Sequence, residues 1–317
     1  MGFERLLGNS RLKENLIAGL GKGRISHFYL ISGPVGSGKH TLAQLLAAAI
    51  LCKSERRPCG VCNPCRKVFS GSHPDFITID DPEKKTVPVD LIRSARADMY
   101  IRPNESDHKI YLFPRAQDMG IPGQNALLKV LEEPPAYGVF ILLTDNPEKI
   151  LPTVRSRCTE LSLTAIDQNL LLRELEKRFP QTDDQLRLAA AVRSGGFLGQ
   201  ALTLMEQGGS HSPQTEQFIK SFESRDVMGL LQVLVPMEKW KRDQLIPELA
   251  AWQQLLHEAL LHRSGARGIP PTAQRLGAAR GSRDIKDAIG HLQKAIEYAQ
   301  GNVSVAAICG WLTQTLR

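Results

Sequence analysis

The spacing Gly33-Pro34-Val35-Gly36-Ser37-Gly38-Lys39 lies between an apolar run, Phe28-Tyr29-Leu30-Ile31-Ser32, and an alanine- and leucine-rich run over residues 41–50. Few folds accommodate a Gly-x-x-x-x-Gly-Lys segment between a buried strand and a helix. The glycines let successive backbone N–H groups curl around phosphate oxygens. The lysine reaches the β- and γ-phosphates, and the helix N-terminus adds its dipole. The candidate phosphate-binding residues are therefore Gly33, Gly36, Ser37, Gly38, Lys39, His40 and Thr41.

The pattern around this loop predicts an α/β fold. Strand-like runs at 76–80, 110–113 and 139–144 alternate with helical runs at 89–99, behind Pro88, and 123–133, stopped by Pro134-Pro135. Such alternation predicts a parallel sheet covered on both faces over residues 1–165. Beyond 165 the strand signals stop. Short helices are expected at 169–178, 184–194 and 199–206, then a linker at 208–213. Longer amphipathic helices follow at 244–262, 284–299 and 303–316. Residues 264–283 contain no Asp or Glu and carry Arg267, Arg275, Arg280 and Arg283, which reads as a solvated loop. Trp240, Trp252 and Trp311 read as core or interface residues. The expected division is 1–165, 166–208 and 209–317.

Phosphate binding does not imply hydrolysis. The residue after the lysine ordinarily supplies a hydroxyl to Mg²⁺; here it is His40, a poor ligand for a hard cation, and Thr41 comes one place late. Hydrolysis also needs a carboxylate near the metal and a group to orient water. The strand at 110–113 is followed instead by Pro114-Arg115. Asp118 lies four residues further on, and Asp80-Asp81 is the other acidic candidate. ATP or ADP binding is compatible with this loop, Mg²⁺ binding is weakened, and intrinsic turnover is not expected. Glu132-Glu133 reads as the solvated end of a helix.

Three of the six cysteines form Cys59-Gly-Val-Cys62-Asn-Pro-Cys65, and Cys52 lies seven residues earlier. Four thiolates make a closed tetrahedral site for structural Zn²⁺. A rival is an iron–sulfur cluster with Cys52 or Cys158 as the fourth ligand. Cys309 reads as core. The N-terminal residues lack the pattern of a secretory signal, and no apolar run approaches membrane-spanning length. A reducing cytoplasmic setting with no membrane partner is expected. The net charge of +7 fits nucleic acid, acidic protein or an anionic surface without choosing among them.

These segments together resemble the bacterial DNA polymerase III clamp-loader subunits of the AAA+ class. Residues 24–33 are similar to that family's approach to the phosphate loop, and 58–66 to its zinc module. Residues 124–135, Gln-Asn-Ala-Leu-Leu-Lys-Val-Leu-Glu-Glu-Pro-Pro, are similar to its signature helix, and 143–147 to its sensor-1 strand end. Ser156-Arg157-Cys158 resembles its trans-acting arginine motif. The family's sensor-2 arginine falls at Gly199. Lacking the magnesium hydroxyl, the acidic pair and that arginine, the chain resembles the delta-prime type more than the gamma/tau motor type, although its phosphate loop is intact.

The resemblance implies an AAA+ domain with a zinc insertion at 52–65, a helical lid and a C-terminal helical collar. It implies assembly with gamma/tau and delta subunits in a ring that loads a sliding clamp on primed DNA. It also makes Arg157 an arginine finger for a neighbouring subunit. Two other readings stay open: an active gamma/tau-type ATPase, and a DNA-binding module carrying a relic AAA+ domain.

Overall fold

The computed structural model describes residues 2–206, 211–266, 269–301 and 303–316. The chain forms two compact units, one of residues 1–174 and 194–202, the other of 175–193 and 203–317.

The first unit is built on five parallel strands: β1 (Phe28–Ser32), β2 (Phe76–Thr78), β3 (Lys109–Phe113), β4 (Gly138–Thr144) and β5 (Thr159–Ser162), in the order β2-β3-β4-β1-β5. Its helices are α1 (Ser10–Gly21), α2 (Lys39–Leu51), α3 (Asn63–Phe69), α4 (Val89–Asp98), α5 (Ile121–Glu132) and α6 (Pro152–Arg155). All residues of β1, β3 and β4 are buried, as expected of strands covered on two faces. The alternation of side chains divides them. Tyr29, Ile31, Ile141 and Leu143 join the core under α1, α2 and α3. Phe28, Leu30, Phe140 and Leu142 join the core under α4 and α5, where Phe28 and Phe140 stack at 4.7 Å.

The sequence reading missed β5. The strand is four residues long, and only Leu161 is buried, so it carries no apolar run. It pairs with β1 from Tyr29↔Thr159 to Ser32↔Ser162 and forms one edge of the sheet. Beyond its end, the amide of Asn9 accepts from Thr164 N at 3.0 Å and donates to Thr164 O at 3.3 Å. A side chain thus takes the place of one peptide of a neighbouring strand.

α7 (Gln168–Arg178) spans the boundary between the units. It is followed by α8 (Asp184–Arg193) and α9 (Leu198–Glu206). The second unit continues with α10 (Pro213–Ser224), α11 (Val227–Met237), α12 (Arg242–Arg263), α13 (Pro271–Ala279), α14 (Ser282–Gln300) and α15 (Val305–Thr315). Trp252 on α12 is fully buried, stacked on Phe218 at 4.3 Å, and its Nε1 donates to Thr215 Oγ1 at 2.9 Å. Cys309 lies in this core; Trp240 and Trp311 pack against it half-buried.

Two expectations change. Of the linker at 208–213, residues 208–210 lie outside the described residues, while Ser212 caps α10 by accepting from Thr215 N at 2.9 Å. The basic segment 264–283 is not a solvated loop, because it contains α13. Gly277 lets α13 sit on α12 so closely that an added Cβ would lie 2.7 Å from Ala259 O. Arg280 is 3% exposed, its guanidinium lying 4.4 Å from the centre of the Phe222 ring and 3.6 Å from Asp284. Arg275 pairs with Glu223 and Arg283 with Asp287. Arg267 lies outside the described residues. The acids come from outside the segment: Glu223 from a distant helix, and Asp284 and Asp287 from the next turns of α14.

Candidate functional site

The carboxyl ends of β1, β3 and β4 converge on the loop 33–39, the usual ligand position in a parallel sheet. Gly33 N donates to Thr144 O at 3.2 Å, fixing the start of the loop to the end of β4. Gly36 and Gly38 have φ of 78° and 96°, the left-handed region that glycine adopts without strain. Lys39, at the start of α2, is almost buried. Its Nζ donates to Gly33 O at 2.6 Å and Pro34 O at 2.9 Å, and meets Asp145 Oδ1 at 2.6 Å. Desolvation, then the Lys39 ammonium, holds His40 below the usual imidazole range. A neutral imidazole thus stands where a magnesium-binding hydroxyl was sought; Thr41 follows one step into α2.

The first turn of α9 closes on this loop. Gly199 N donates to Gly36 O at 2.9 Å and Gln200 Nε2 to Val35 O at 2.8 Å. A Cβ on Gly199 would lie 2.7 Å from Gly36 Cα. The position where an arginine was sought therefore has room for glycine alone.

Past β3, the Arg115 guanidinium holds the place where carboxylates were sought. It donates to Asp80 Oδ1 from Nη2 at 2.6 Å and from Nε at 3.1 Å, and to the carbonyls of Asp81 and Lys84 at 2.9 and 3.1 Å. Asp118 lies 3.7 Å away. Of the acidic candidates, Asp80 and Asp118 both meet this one cation, while the Asp81 carboxylate pairs with Lys84 at 3.4 Å. These bonds, chiefly those to Asp80, raise the Arg115 pKa above its ordinary value.

Gln124 organises the other end of the site. Buried at the start of α5, it donates to Met119 O at 3.1 Å and Lys149 O at 3.0 Å and accepts from Leu151 N at 2.7 Å. It thereby fixes the segment leading into α6, after which Ser156-Arg157-Cys158 follows. Arg155 is committed internally to Glu160 at 2.6 Å and Glu148 at 3.0 Å. Arg157 is 40% exposed, with one contact to Glu132 Oε1 at 3.2 Å and one to Thr153 O at 2.9 Å. Cys158 donates to Val154 O at 3.3 Å, and burial pushes its thiol up to about 12. Ser156 Oγ donates weakly to Thr153 O.

The cysteine module begins where α2 ends. Cys52 caps α2, Cys62 precedes α3 and Cys65 lies in its first turn. The Sγ atoms of Cys52, Cys59, Cys62 and Cys65 all lie within 4.8 Å of one another, Cys52 and Cys62 at 3.8 Å. Four thiolates around tetrahedral zinc stand about 3.8 Å apart, so the donor set fits such an ion. The N–H groups of Val61 and Cys62 lower the Cys59 pKa to about 6. The fourth thiol is Cys52; Cys158 is not part of the group.

Sequence reasoning missed two carboxylates. Asp145 pairs with Lys39, as above. Asp75 is buried and accepts from the N–H groups of Asn104, Glu105 and Ser106 at 2.6, 2.8 and 3.0 Å. Asp145 lies within the 143–147 segment noted above without having been singled out, and Asp75 belongs to no motif.

A phosphate loop after β1, with this strand order, defines a P-loop protein of the AAA+ class. The sequence narrows the class further: the chain belongs to the family described as DNA polymerase III, delta subunit, whose model matches residues 8–167, about half of the chain. It is similar to DNA polymerase III subunit tau of Escherichia coli (strain K12), 32% identical over 290 residues, or 86% of this chain and 45% of that one. It is 33% identical over 210 residues to DNA polymerase III subunit gamma of Buchnera aphidicola subsp. Schizaphis graminum, covering 64% of this chain and 57% of that protein. The chain thus spans about half the length of these relatives. Among solved structures, a DNA polymerase III gamma subunit-related protein of Thermotoga maritima aligns over 96% of this chain and 99% of its own, with TM-score 0.45 and 16% identity. Among the described residues no helix is long and apolar enough to cross a membrane.

Proposed function

We propose that this chain is a non-hydrolysing, delta-prime-like subunit of the DNA polymerase III clamp loader. The observation that carries this reading is Arg115, just past β3, hydrogen-bonded to Asp80 and 3.7 Å from Asp118. A guanidinium there repels the Mg²⁺ that hydrolysis requires and engages Asp80 and Asp118, while the Asp81 carboxylate pairs with Lys84 at 3.4 Å. The catalytic contribution then lies outside the chain's own pocket. Arg157, exposed beside β5 and held lightly by Glu132, is the arginine finger for a neighbouring ATPase subunit, with Ser156 and Cys158 shaping its turn. Residues 1–165 are the AAA+ domain, 166–208 the lid and 209–317 the collar through which it assembles with gamma/tau and delta subunits. Cys52, Cys59, Cys62 and Cys65 hold a structural zinc ion. The assembled ring places a sliding clamp on primed DNA.

The test reconstitutes the protein with gamma/tau and delta subunits, clamp and primed DNA. The chain alone is expected to be silent. Arg157→Ala is expected to reduce complex ATPase on the order of 10³-fold at the site it completes. An unchanged rate would overturn the finger assignment.

The similarity to tau and gamma proteins supports a second reading, an ATPase of the motor type. That reading requires turnover by the purified chain, abolished by Lys39→Ala. It must also explain Arg115, which is why the first reading is preferred.

A further inference from the structure

The Lys39 ammonium has three N–H donors, and the protein supplies three acceptors: Gly33 O, Pro34 O and Asp145 Oδ1, at 2.6, 2.9 and 2.6 Å. Lys39 is 7% exposed and Asp145 41%, so the pair is sealed on the lysine side and open to solvent on the carboxylate side. In the rest of the cradle, Ser37 N donates back to Pro34 O at 3.1 Å. The first N–H groups of α2 have no preceding turn to bond. Ser37, 8% exposed, has a buried hydroxyl with no hydrogen-bond partner. The loop therefore keeps a seat for one phosphate group, while the lysine that ordinarily spans the β- and γ-phosphates already faces an anion.

We infer that Asp145 is a built-in substitute for the terminal phosphate, so that this site takes a nucleoside diphosphate in preference to a triphosphate. A terminal phosphate approaching Lys39 would set its own negative charge against the Asp145 carboxylate, with one ammonium to serve both. The usual relief is a magnesium ion on an adjacent hydroxyl, and His40 provides none. A diphosphate brings only its β-phosphate, which the loop N–H groups can hold, and no γ-phosphate charge to set against Asp145. This inference rests on reading 33–39 as a phosphate cradle and is independent of the role of Arg157.

The test is titration calorimetry of the full-length protein with ADP and with ATP, with and without Mg²⁺. Wild type is expected to bind ADP on the order of tenfold or more tighter than ATP. Asp145→Asn keeps the size and the acceptor but removes the charge. It is expected to raise ATP affinity until the two nucleotides differ by about twofold or less, with an unchanged melting curve as the control for folding. Asp145→Thr, which also lacks the side-chain carbonyl, is expected to behave alike. Equal affinities in wild type, or a preference that survives both substitutions, would overturn the inference and leave the cradle standing. No binding of either nucleotide by any of the three proteins would overturn the cradle itself, and the inference with it.

Discussion

Asp75 is buried and still ionised. Desolvation pushes its pKa up, but the N–H groups of Asn104, Glu105 and Ser106 and the Asn104 amide outweigh it and hold the pKa below the usual value. A carboxylate depressed in the folded state stabilises it above the unfolded pKa of about 3.9. That contribution is lost as pH falls through the lower folded value. Asp75→Asn should therefore cost roughly 1–3 kcal/mol at neutral pH. It should also flatten the decline in urea stability below about pH 4; an unchanged decline would mean that other carboxylates dominate it. Arg115 illustrates what was and was not legible at this scale. Its presence in place of an acid was plain from Pro114-Arg115, because the strand before it was recognisable. Its engagement with Asp80 was not, because those residues lie 35 positions apart and no spacing rule connects them. Asp145 was invisible for the same reason: a carboxylate after a strand has many uses, and the contact with Lys39 selects one.

Elements with a continuous apolar signal were legible. β1, β3, β4, α2 and α5 appeared within two residues of their expected bounds, since strands covered on both faces must be apolar throughout. β5 and α13 were not, for a shared reason. An edge strand with one buried residue has no period to read, and a short helix in a stretch of arginine, glycine and proline resembles a solvated segment until its partners are known. Of the arginines of 275–283, Arg280 is buried against the Phe222 ring and Asp284 and is structural, whereas Arg275 and Arg283 stay exposed beside Glu223 and Asp287. Arg280→Ala is expected to lower the thermal midpoint of the chain, and salt-dependent DNA binding, if measured in parallel, should not change. The opposite pattern would favour the DNA-binding reading. At the P-loop, Gly199→Ala should force α9 from Gly36, since the added carbon would meet backbone rather than a movable side chain. Faster amide exchange at 33–38 would register that displacement.

Across the whole molecule, the two units differ in what holds them together. The helical unit has a large apolar core around Trp252. The α/β unit adds a cysteine cluster to its core, with Cys65 fully buried and Cys52 nearly so. Removing its metal with a chelator is expected to lower the melting temperature and expose 52–69 to protease. The metal content should be close to one zinc per chain. Unchanged melting after verified removal of the metal would make the cluster dispensable.

The two sites share one helix. α2 begins at Lys39 and ends at Leu51, with Cys52 as its cap, a length of about 20 Å. Its first turn presents the phosphate loop, and its last is anchored among thiols. Purification through a chelating resin, or storage that oxidises the cysteines, would therefore loosen the support of the loop from its far end. A failed nucleotide titration on such material would report the history of the sample, so zinc and free-thiol counts belong beside every affinity measured at Lys39.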